Sequence, residues 1–335
     1  MIGKTRQTGN NRFLGKELGK MELQEILDIF QKNDNFTILT HKSPDGDTLG
    51  SGFALCSFLR DMGKHANVLN SDQLPQRYAF LYEWYHQQEF EEKFVVAVDI
   101  ADPNLIGSNL MQYQQEGKVD LCIDHHISNK NFAKKTYVDG EASAAAMIIY
   151  EIIKLSGRKI TDLIAKCLYT GVSTDTGCFK YENTTPKAHI MAAELMAYNI
   201  DYANINREMF DVKSRGRMEV EQTVISQMKY YFEGRCSMIV LTKKLMSECG
   251  ADQSEFDGLA SIPLCVEGVD IGITVKERHT DYYKISVRTT DKLNASDFCR
   301  QFGGGGHIRA AGCEIQGTLE EVVNKLLDGV SKLFE

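Results

Sequence analysis

The chain has no apolar run approaching the length that crosses a bilayer, so no membrane-spanning helix is expected. Residues 1–20 are polar and basic and lack an apolar core of the kind a secretory signal needs. They read as a disordered extension rather than a nucleic-acid-binding arm. Positive charge is short: the net charge of −8 argues against a generic binder of long or duplex nucleic acid, whose affinity comes from neutralising phosphates. A small phosphorylated substrate stays open, because bound divalent cations reverse the sign of a site locally. The nine cysteines are scattered and contain no C-x2-C pair. Cys122, Cys167 and Cys265 lie in apolar stretches and read as buried thiols. A reducing cytoplasm suits such a set better than an oxidising compartment. Sequence repeats and low-complexity tracts are also absent.

What is present is an ordinary globular composition, 43% hydrophobic and 25% charged. A length of 335 residues favours two domains. From residue 21 onward, helical and strand patterns alternate, which predicts a doubly wound, mainly parallel α/β sheet. The expected strands are 36–41, 65–69, 93–99 and 119–124. The expected helices are 47–62, 76–85, a weaker 105–115, 142–155 and 161–172. Between 186 and 232 the pattern is purely helical, and the charged patch Lys213–Arg217 falls inside it. A second, smaller α/β unit follows: a strand at 236–241, a helical 256–264, a hairpin from 270–276 and 283–289, a helix at 296–302, a glycine loop at 303–306 and a closing amphipathic helix at 319–334. The expected domains are therefore 21–190, a helical linker over 191–232, and 233–335.

Three of the expected strands end in acidic and imidazole groups. Phe36–Thr40 runs into His41, Asp45 and Asp47. Phe94–Val98 runs into Asp99. Leu121–Ile123 runs into Asp124, His125 and His126. Ligands of open α/β sheets sit beyond the carboxyl ends of the strands, so these side chains are expected to converge. Pro44 and Gly46 force a turn that lets Asp45 and Asp47 share a space. The plainer alternative is that Asp47 caps the following helix and Asp45 is a turn residue. A fourth segment, Thr170–Gly177, adds Asp175 and by itself is no more than a capped turn. Carboxylates and imidazoles without a thiolate suit Mn, Mg, Fe or Zn in an open hydrolytic site. His41, Asp45, Asp47, Asp99, His125 and Asp175 suffice for two metals, with Asp99 as the natural bridge. A strand alternates its side chains, so His125 and His126 are expected to split between metal and substrate.

Taken together, these segments resemble the DHH phosphoesterase superfamily: His41-x3-Asp45-x-Asp47, Val98-Asp99, Asp124-His125-His126 and Thr174-Asp175-Thr176-Gly177. Ile285-Ser286-Val287-Arg288 and Gly303–Gly306 followed by His307 resemble the substrate-binding signature of the associated C-terminal domain. Size and layout are most similar to the nanoRNase/pAp-phosphatase branch. The resemblance implies a metal-dependent phosphoesterase acting on very short RNA or 3′-phosphoadenosine 5′-phosphate, and in some members on linear or cyclic dinucleotides. It implies two divalent cations, usually Mn²⁺ with Mg²⁺ as the substitute. One would be held by His41, Asp45 and Asp99, the other by Asp47, Asp99, His125 and Asp175. It places His126 at the scissile phosphate, makes Asp124 the group that orients the metal-site imidazoles, and makes Arg288 and His307 a substrate clamp. Ser286, Gly304, Gly305 and Gly306 join that clamp, and a homodimer is compatible with the family.

The glycine loop has an independent physical reading. If it opens a short helix, its N–H groups face a phosphate, with Arg288 as a fork matched to phosphate oxygens. A cleft between the two domains is expected to set substrate length. The rival enzymes are a manganese-dependent inorganic pyrophosphatase or exopolyphosphatase, and a processive single-strand exonuclease. A non-catalytic nucleotide sensor is the rival of another class.

Overall fold

The computed structural model describes residues 21–250 and 253–334, so the extension expected over 1–20 lies outside the described residues. Two compact units divide at Val212 and Lys213. The segment expected as a linker is distributed between them: Leu195 and Ile205 join the core of the first unit, Val220 and Val224 a core of the second.

The first unit carries five parallel strands: β1 (Phe36–Leu39), β2 (Ala66–Leu69), β3 (Phe94–Val98), β4 (Leu121–Asp124) and β5 (Lys135–Val138). Their order is β2-β1-β3-β4-β5. The chain winds one way from β1 to β2 and the other way from β1 to β3, so the topological switch point lies between β1 and β3. Its helices are α1 (Leu23–Lys32), α2 (Gly46–Asp61), α3 (Ala79–Tyr82), α4 (Ala145–Leu155), α5 (Asp162–Asp175), α6 (Pro186–Leu195) and α7 (Tyr202–Asn206). Strand residues alternate between two cores. Phe36, Ile38, Val96, Val98, Leu121 and Ile123 face α1, α2, α4 and α5. Leu39, Val95, Ala97 and Cys122 face the other side with Ile106 and Val119. That second face is covered by 3-10 turns at Pro103–Ile106 and Ser108–Gln114 instead of the helix expected over 105–115. The helix expected over 76–85 is likewise a 3-10 turn followed by the four-residue α3.

Helix α2 is buried all round from Gly46 to Leu59, with the polar residues Asp47, Thr48 and Ser51 gathered in its first turns beside the site. It lies tight on α5. A Cβ at Gly50 would fall on the Cys167 carbonyl, and one at Gly171 would fall on Ala146 and on the Asp47 side chain. Small residues at this crossing let α2, α4 and α5 meet at the same end of the sheet.

The second unit is a six-stranded mixed sheet of order β10-β11-β9-β8-β7-β6: β6 (Lys229–Tyr231), β7 (Cys236–Leu241), β8 (Ile271–His279), β9 (Tyr282–Thr289), β10 (Gly305–Gly306) and β11 (Ala310–Gln316). Its helices are α8 (Arg215–Ser226), α9 (Lys243–Glu248), α10 (Ala295–Arg300) and α11 (Leu319–Phe334). The expected hairpin forms, with Asp281 in the left-handed region at φ 56°. The charged patch 213–217 opens α8, where Ser214 caps Arg217 and the Arg217 side chain is buried against Glu221. Two expectations need correction. The helix expected to run to Tyr231 stops at Ser226, and Lys229–Tyr231 pairs with β7. Cys265, expected to be buried, is exposed, whereas Cys122 and Cys167 are buried. Among the described residues no helix is long and apolar enough to cross a membrane.

Candidate active site

Five of the six expected ligand residues follow the carboxyl ends of β1, β3 and β4, and the sixth ends α5. His41 is two residues beyond β1. Asp45 caps α2, accepting from the N–H groups of Asp47 and Thr48 at 3.0 and 3.1 Å. The expected cap, Asp47, is instead inside the first turn of α2 and wholly buried. Its carboxylate caps a different helix: it accepts from the N–H groups of Ala145 and Ala146 at 2.6 and 2.9 Å and from the Ser51 hydroxyl at 3.1 Å. Those are the first free donors of α4, whose own N-cap residue, Ala144, has no side-chain oxygen to offer. Asp99 follows β3 at φ 59°, a left-handed conformation rare for a residue with a Cβ. Such backbone costs about 1–3 kcal/mol and persists where the surroundings impose it. Asp175 belongs to the last turn of α5, so the Thr170–Gly177 segment is helix to Asp175 and only then turns.

The side chains meet. His41 Nε2 lies 3.6 Å from Asp45 Oδ1 and 3.6 Å from Asp99 Oδ2. His125 Nε2 lies 3.9, 3.6 and 3.6 Å from carboxylate oxygens of Asp47, Asp99 and Asp175. His126 Nδ1 is 3.5 Å from Asp99 Oδ1. Two atoms bound to one ion at about 2.1 Å are themselves roughly 3–3.5 Å apart. The observed spacings are wide for hydrogen bonds and suited to a cation between the partners.

The imidazole orientations sharpen this. His41 Nδ1 faces the Lys42 carbonyl at 2.8 Å, and His125 Nδ1 faces the Ala142 carbonyl at 3.2 Å. A carbonyl can only accept, so Nδ1 carries the proton in both rings. Each Nε2 then turns a lone pair toward carboxylate oxygens, an arrangement that is repulsive unless a proton or a cation lies between. Asp99 Oδ1 and His125 Nε2 are buried without a hydrogen-bond partner. Buried polar atoms are rarely left so. The donor set therefore fits divalent cations, and three overlapping groups are close enough to hold one: His41/Asp45/Asp99, Asp47/His125/Asp175 and Asp99/His125/His126.

Electrostatics agree. Burial, then the charges of Asp47, Asp45, Asp175 and Asp124, push the Asp99 carboxyl well above its ordinary range. Burial, then the charges of Asp47 and Asp45, push Asp175 up to about 8 against the opposing pull of His126 and His41. Asp47 is raised as well, mainly by burial. Asp45 goes the other way: burial opposes ionisation, but His41 together with the N–H groups of Thr48 and Asp47 holds the carboxyl low. So crowded a set of carboxylates retains protons until cations replace them.

Asp124 is fully buried and accepts from His126 Nδ1 at 2.8 Å and from the His125 N–H at 2.8 Å. It orients the ring of His126, not the rings of His125 and His41, which backbone carbonyls hold. Burial opposes its ionisation, but hydrogen bonds from His126 and Asn129 hold its carboxyl below the ordinary range, and the bond to Asp124 raises the His126 imidazole. Asn129 was not anticipated: its side chain donates to Asp124 Oδ2 at 2.6 Å and to the Ile100 carbonyl at 3.1 Å. Nothing in its sequence spacing marks it. Thr48 was also missed, although it adjoins Asp47; its hydroxyl lies 3.3 Å from the His41 N–H and 3.3 Å from the Val98 carbonyl, tying β1, β3 and α2 together.

In the second unit, Ser286 and Arg288 share the face of β9 that points away from Ile285 and Val287. Ser286 pairs with Gly312 and Arg288 with Ala310 in β11. The glycine loop differs from expectation. It follows α10 and leads into β10, so it opens no helix and presents no helix N-terminus. Three of its glycines have structural reasons. Gly303 has φ 75°, Gly304 presses on the Gly312 carbonyl and Cys313, and Gly306 has φ 148° against Ala310 and Ala311. Gly305 is exposed, with nothing near its missing side chain. His307 is exposed, and its N–H donates to the Ala310 carbonyl at 2.8 Å.

Carboxylates and imidazoles gathered at the switch point of a parallel sheet, with a separate mixed-sheet unit behind them in the chain, define a phosphoesterase of the metal-dependent kind. The comparisons agree: a model of the DHH family N-terminal domain matches residues 35–172, and the DHHA1 domain matches residues 239–335. The chain belongs to the DHH family. It is 32% identical over 300 residues, 88% of each chain, to the bifunctional oligoribonuclease and PAP phosphatase NrnA of Thermus thermophilus. It is 26% identical over 289 residues, 86% of this chain and 91% of the relative, to a probable bifunctional oligoribonuclease and PAP phosphatase NrnA of Streptococcus mutans. A crystal structure of an exopolyphosphatase-related protein from Bacteroides fragilis superposes with a TM-score of 0.81 at 28% identity, covering 93% of this chain and 97% of that one.

Proposed function

We propose that this protein hydrolyses phosphoester bonds of very short oligoribonucleotides and of 3′-phosphoadenosine 5′-phosphate, using two divalent cations, Mn²⁺ by preference. The observation that carries the proposal is the pair of imidazoles whose Nε2 lone pairs face carboxylates around the unpartnered Asp99 Oδ1. The names of the two NrnA relatives support the substrate class. His41, Asp45 and Asp99 would hold one cation, and Asp47, Asp99, His125 and Asp175 the other. Cations held there lower the pKa of a bound water and offset charge on the phosphate.

The chain's own residues do the rest. Asp99 contributes charge to both positions, and its strained backbone fixes it between β1 and β4. Asp47 is held rigid by the α4 donors. Asp124, itself held by Asn129, accepts the Nδ1 proton of His126 and favours the imidazolium form, whose Nε2–H can donate to the substrate phosphate or pass its proton to the leaving oxygen, returning the ring to neutral. Arg288, Ser286, His307 and the exposed N–H region of Gly304–Gly306 bind the nucleotide. No protein nucleophile is required.

A panel with Mn²⁺ tests this: 3′-phosphoadenosine 5′-phosphate, di- to pentaribonucleotides, a long single-stranded RNA, pyrophosphate and polyphosphate. Turnover of the first two groups, falling with RNA length, is expected. The Bacteroides fragilis neighbour's description makes polyphosphate the informative rival. Rapid polyphosphate or pyrophosphate hydrolysis with nucleotides untouched would reject the proposal.

A further inference from the structure

Two exposed apolar side chains lie within six residues of site residues in the chain. Ile127 comes after His126 and is 86% exposed; Tyr181 comes six residues after Asp175 and is 60% exposed. Single exposed apolar residues are common and need no explanation. These two differ in being seated on glycines. A Cβ at Gly140 would collide with Ile127 Cγ2, and a Cβ at Gly177 would collide with the ring of Tyr181. Each side chain thus lies against bare backbone, which limits its rotamers while leaving its outer face to solvent.

The backbone beneath Tyr181 is itself unusual. Gly177, Cys178 and Phe179 are left-handed in succession, at φ 57°, 58° and 61°. Two of the three carry side chains, and such strain gathers where the surrounding fold imposes it for a purpose. The Thr176 hydroxyl receives the Phe179 N–H at 3.1 Å, and the Thr176 carbonyl receives the Tyr181 N–H at 3.0 Å, so the turn is held from inside.

The two seats are parts of one rim. The loop bearing Gly140 supplies the Ala142 carbonyl that orients His125. Ser143 of the same loop donates to the Asn183 carbonyl at 2.5 Å, and the Asn183 side chain donates back to the Ser143 carbonyl at 3.1 Å and to the Asp175 carbonyl at 3.1 Å. Hydrogen bonds through Ser143 and Asn183 therefore tie the segment bearing Gly140, on which Ile127 lies, to the segment bearing Tyr181, beside His125 and Asp175.

We propose that Tyr181, with Ile127 as the smaller second contact, forms an apolar platform on which a nucleobase of the substrate stacks, and so selects nucleosides over bare phosphoesters. This rests on the nucleotide reading above and adds the residues that recognise the base. An aromatic face accepts any base, because every base has a π-face. The platform therefore gives affinity for nucleotides without sequence preference, as degradation of mixed short oligoribonucleotides demands. The rigid seat reduces the rotamer entropy lost on stacking.

The test compares 3′-phosphoadenosine 5′-phosphate with its base-free analogue, the same bisphosphate on 1-deoxyribose, in the full-length protein with Mn²⁺. Tyr181→Ala should raise KM for the nucleotide about fivefold or more, as base–aromatic stacking predicts. Its kcat, its Mn²⁺ binding and all its constants on the base-free analogue should stay unchanged. Tyr181→Phe should restore the nucleotide KM, and Ile127→Ser should show a smaller effect of the same kind. An unchanged nucleotide KM in Tyr181→Ala, or an equal loss on both compounds, would overturn the platform while leaving the phosphoesterase reading intact. Failure of the wild-type protein to hydrolyse the nucleotide at all would defeat the nucleotide reading and the platform together.

Discussion

Replacing Asp175 by Asn should stabilise the cation-free protein and destabilise the cation-loaded one. Its carboxyl is pushed up to about 8 from the ordinary 3.8, by burial first and then by Asp47 and Asp45. The folded protein therefore keeps a proton that the unfolded chain has already released between those two values. A state that binds more protons loses ground as pH rises, so stability falls from about pH 4 to about pH 8 and levels off above. Each unit is worth about 1.4 kcal/mol, so the whole shift sets a ceiling of roughly 6 kcal/mol. Asp47 and Asp99 compete for the same protons, which spreads the effect, and about 2–3 kcal/mol is expected between pH 5.5 and 8. Asp175→Asn removes this penalty while keeping the side chain's shape. Chelator-treated samples, unfolded in urea at pH 8, should show the variant more stable by about 2 kcal/mol, with the gap closing toward pH 5. Saturating Mn²⁺ should invert the order, because a ligand at a hundred times its Kd stabilises by about 2.7 kcal/mol and the variant binds it less well. A variant less stable than wild type both with and without cation would refute the reasoning. It would mean that the Asp175 carboxylate is held by protein partners alone.

The other predictions concern the second unit. Gly304→Ala should cost stability, because its methyl would strike the Gly312 carbonyl and Cys313, whereas Gly305→Ala should leave unfolding unchanged. Any loss of nucleotide affinity in Gly305→Ala then reports substrate contact, and equal unfolding midpoints for the two variants would contradict the packing account. Arg288→Ala should raise KM for 3′-phosphoadenosine 5′-phosphate with little change in kcat, as loss of uniform binding does. Steady-state kinetics showing a loss confined to kcat would reject the proposed grip.

Much of the fold is written as periodicity. The apolar runs leading to His41, Asp99 and Asp124 are parallel strands, buried but for Phe94, that need no polar face and so stand out in the chain. Strand β5 was not anticipated, because Lys135–Val138 is a half-exposed edge with no apolar run. The 3-10 turns on the second face escape for a related reason: stretches too short to complete an amphipathic stripe read as weak helices. Site residues contributed by strand ends were legible because the sheet edge collects them. Asp47 was legible as a site residue but not in its local role, since the helix it caps begins 98 residues later and capping rules look only along the chain. Asn129 and the Ala142 carbonyl act through contacts across loops, for which no spacing rule exists. The glycine loop shows the converse. Four glycines in a row suggested a phosphate cradle, yet three of them answer to backbone crowding and left-handed turns within their own sheet.

The central claim is that one carboxylate, Asp99, joins two cation positions. Isothermal titration of the chelator-treated protein with Mn²⁺, repeated on Asp99→Asn, tests it most directly. The account predicts two ions per chain for the wild type, and for the variant a weakening at both positions together with loss of turnover. A wild type that binds a single ion, or a variant that keeps two ions at unchanged affinity, would contradict it.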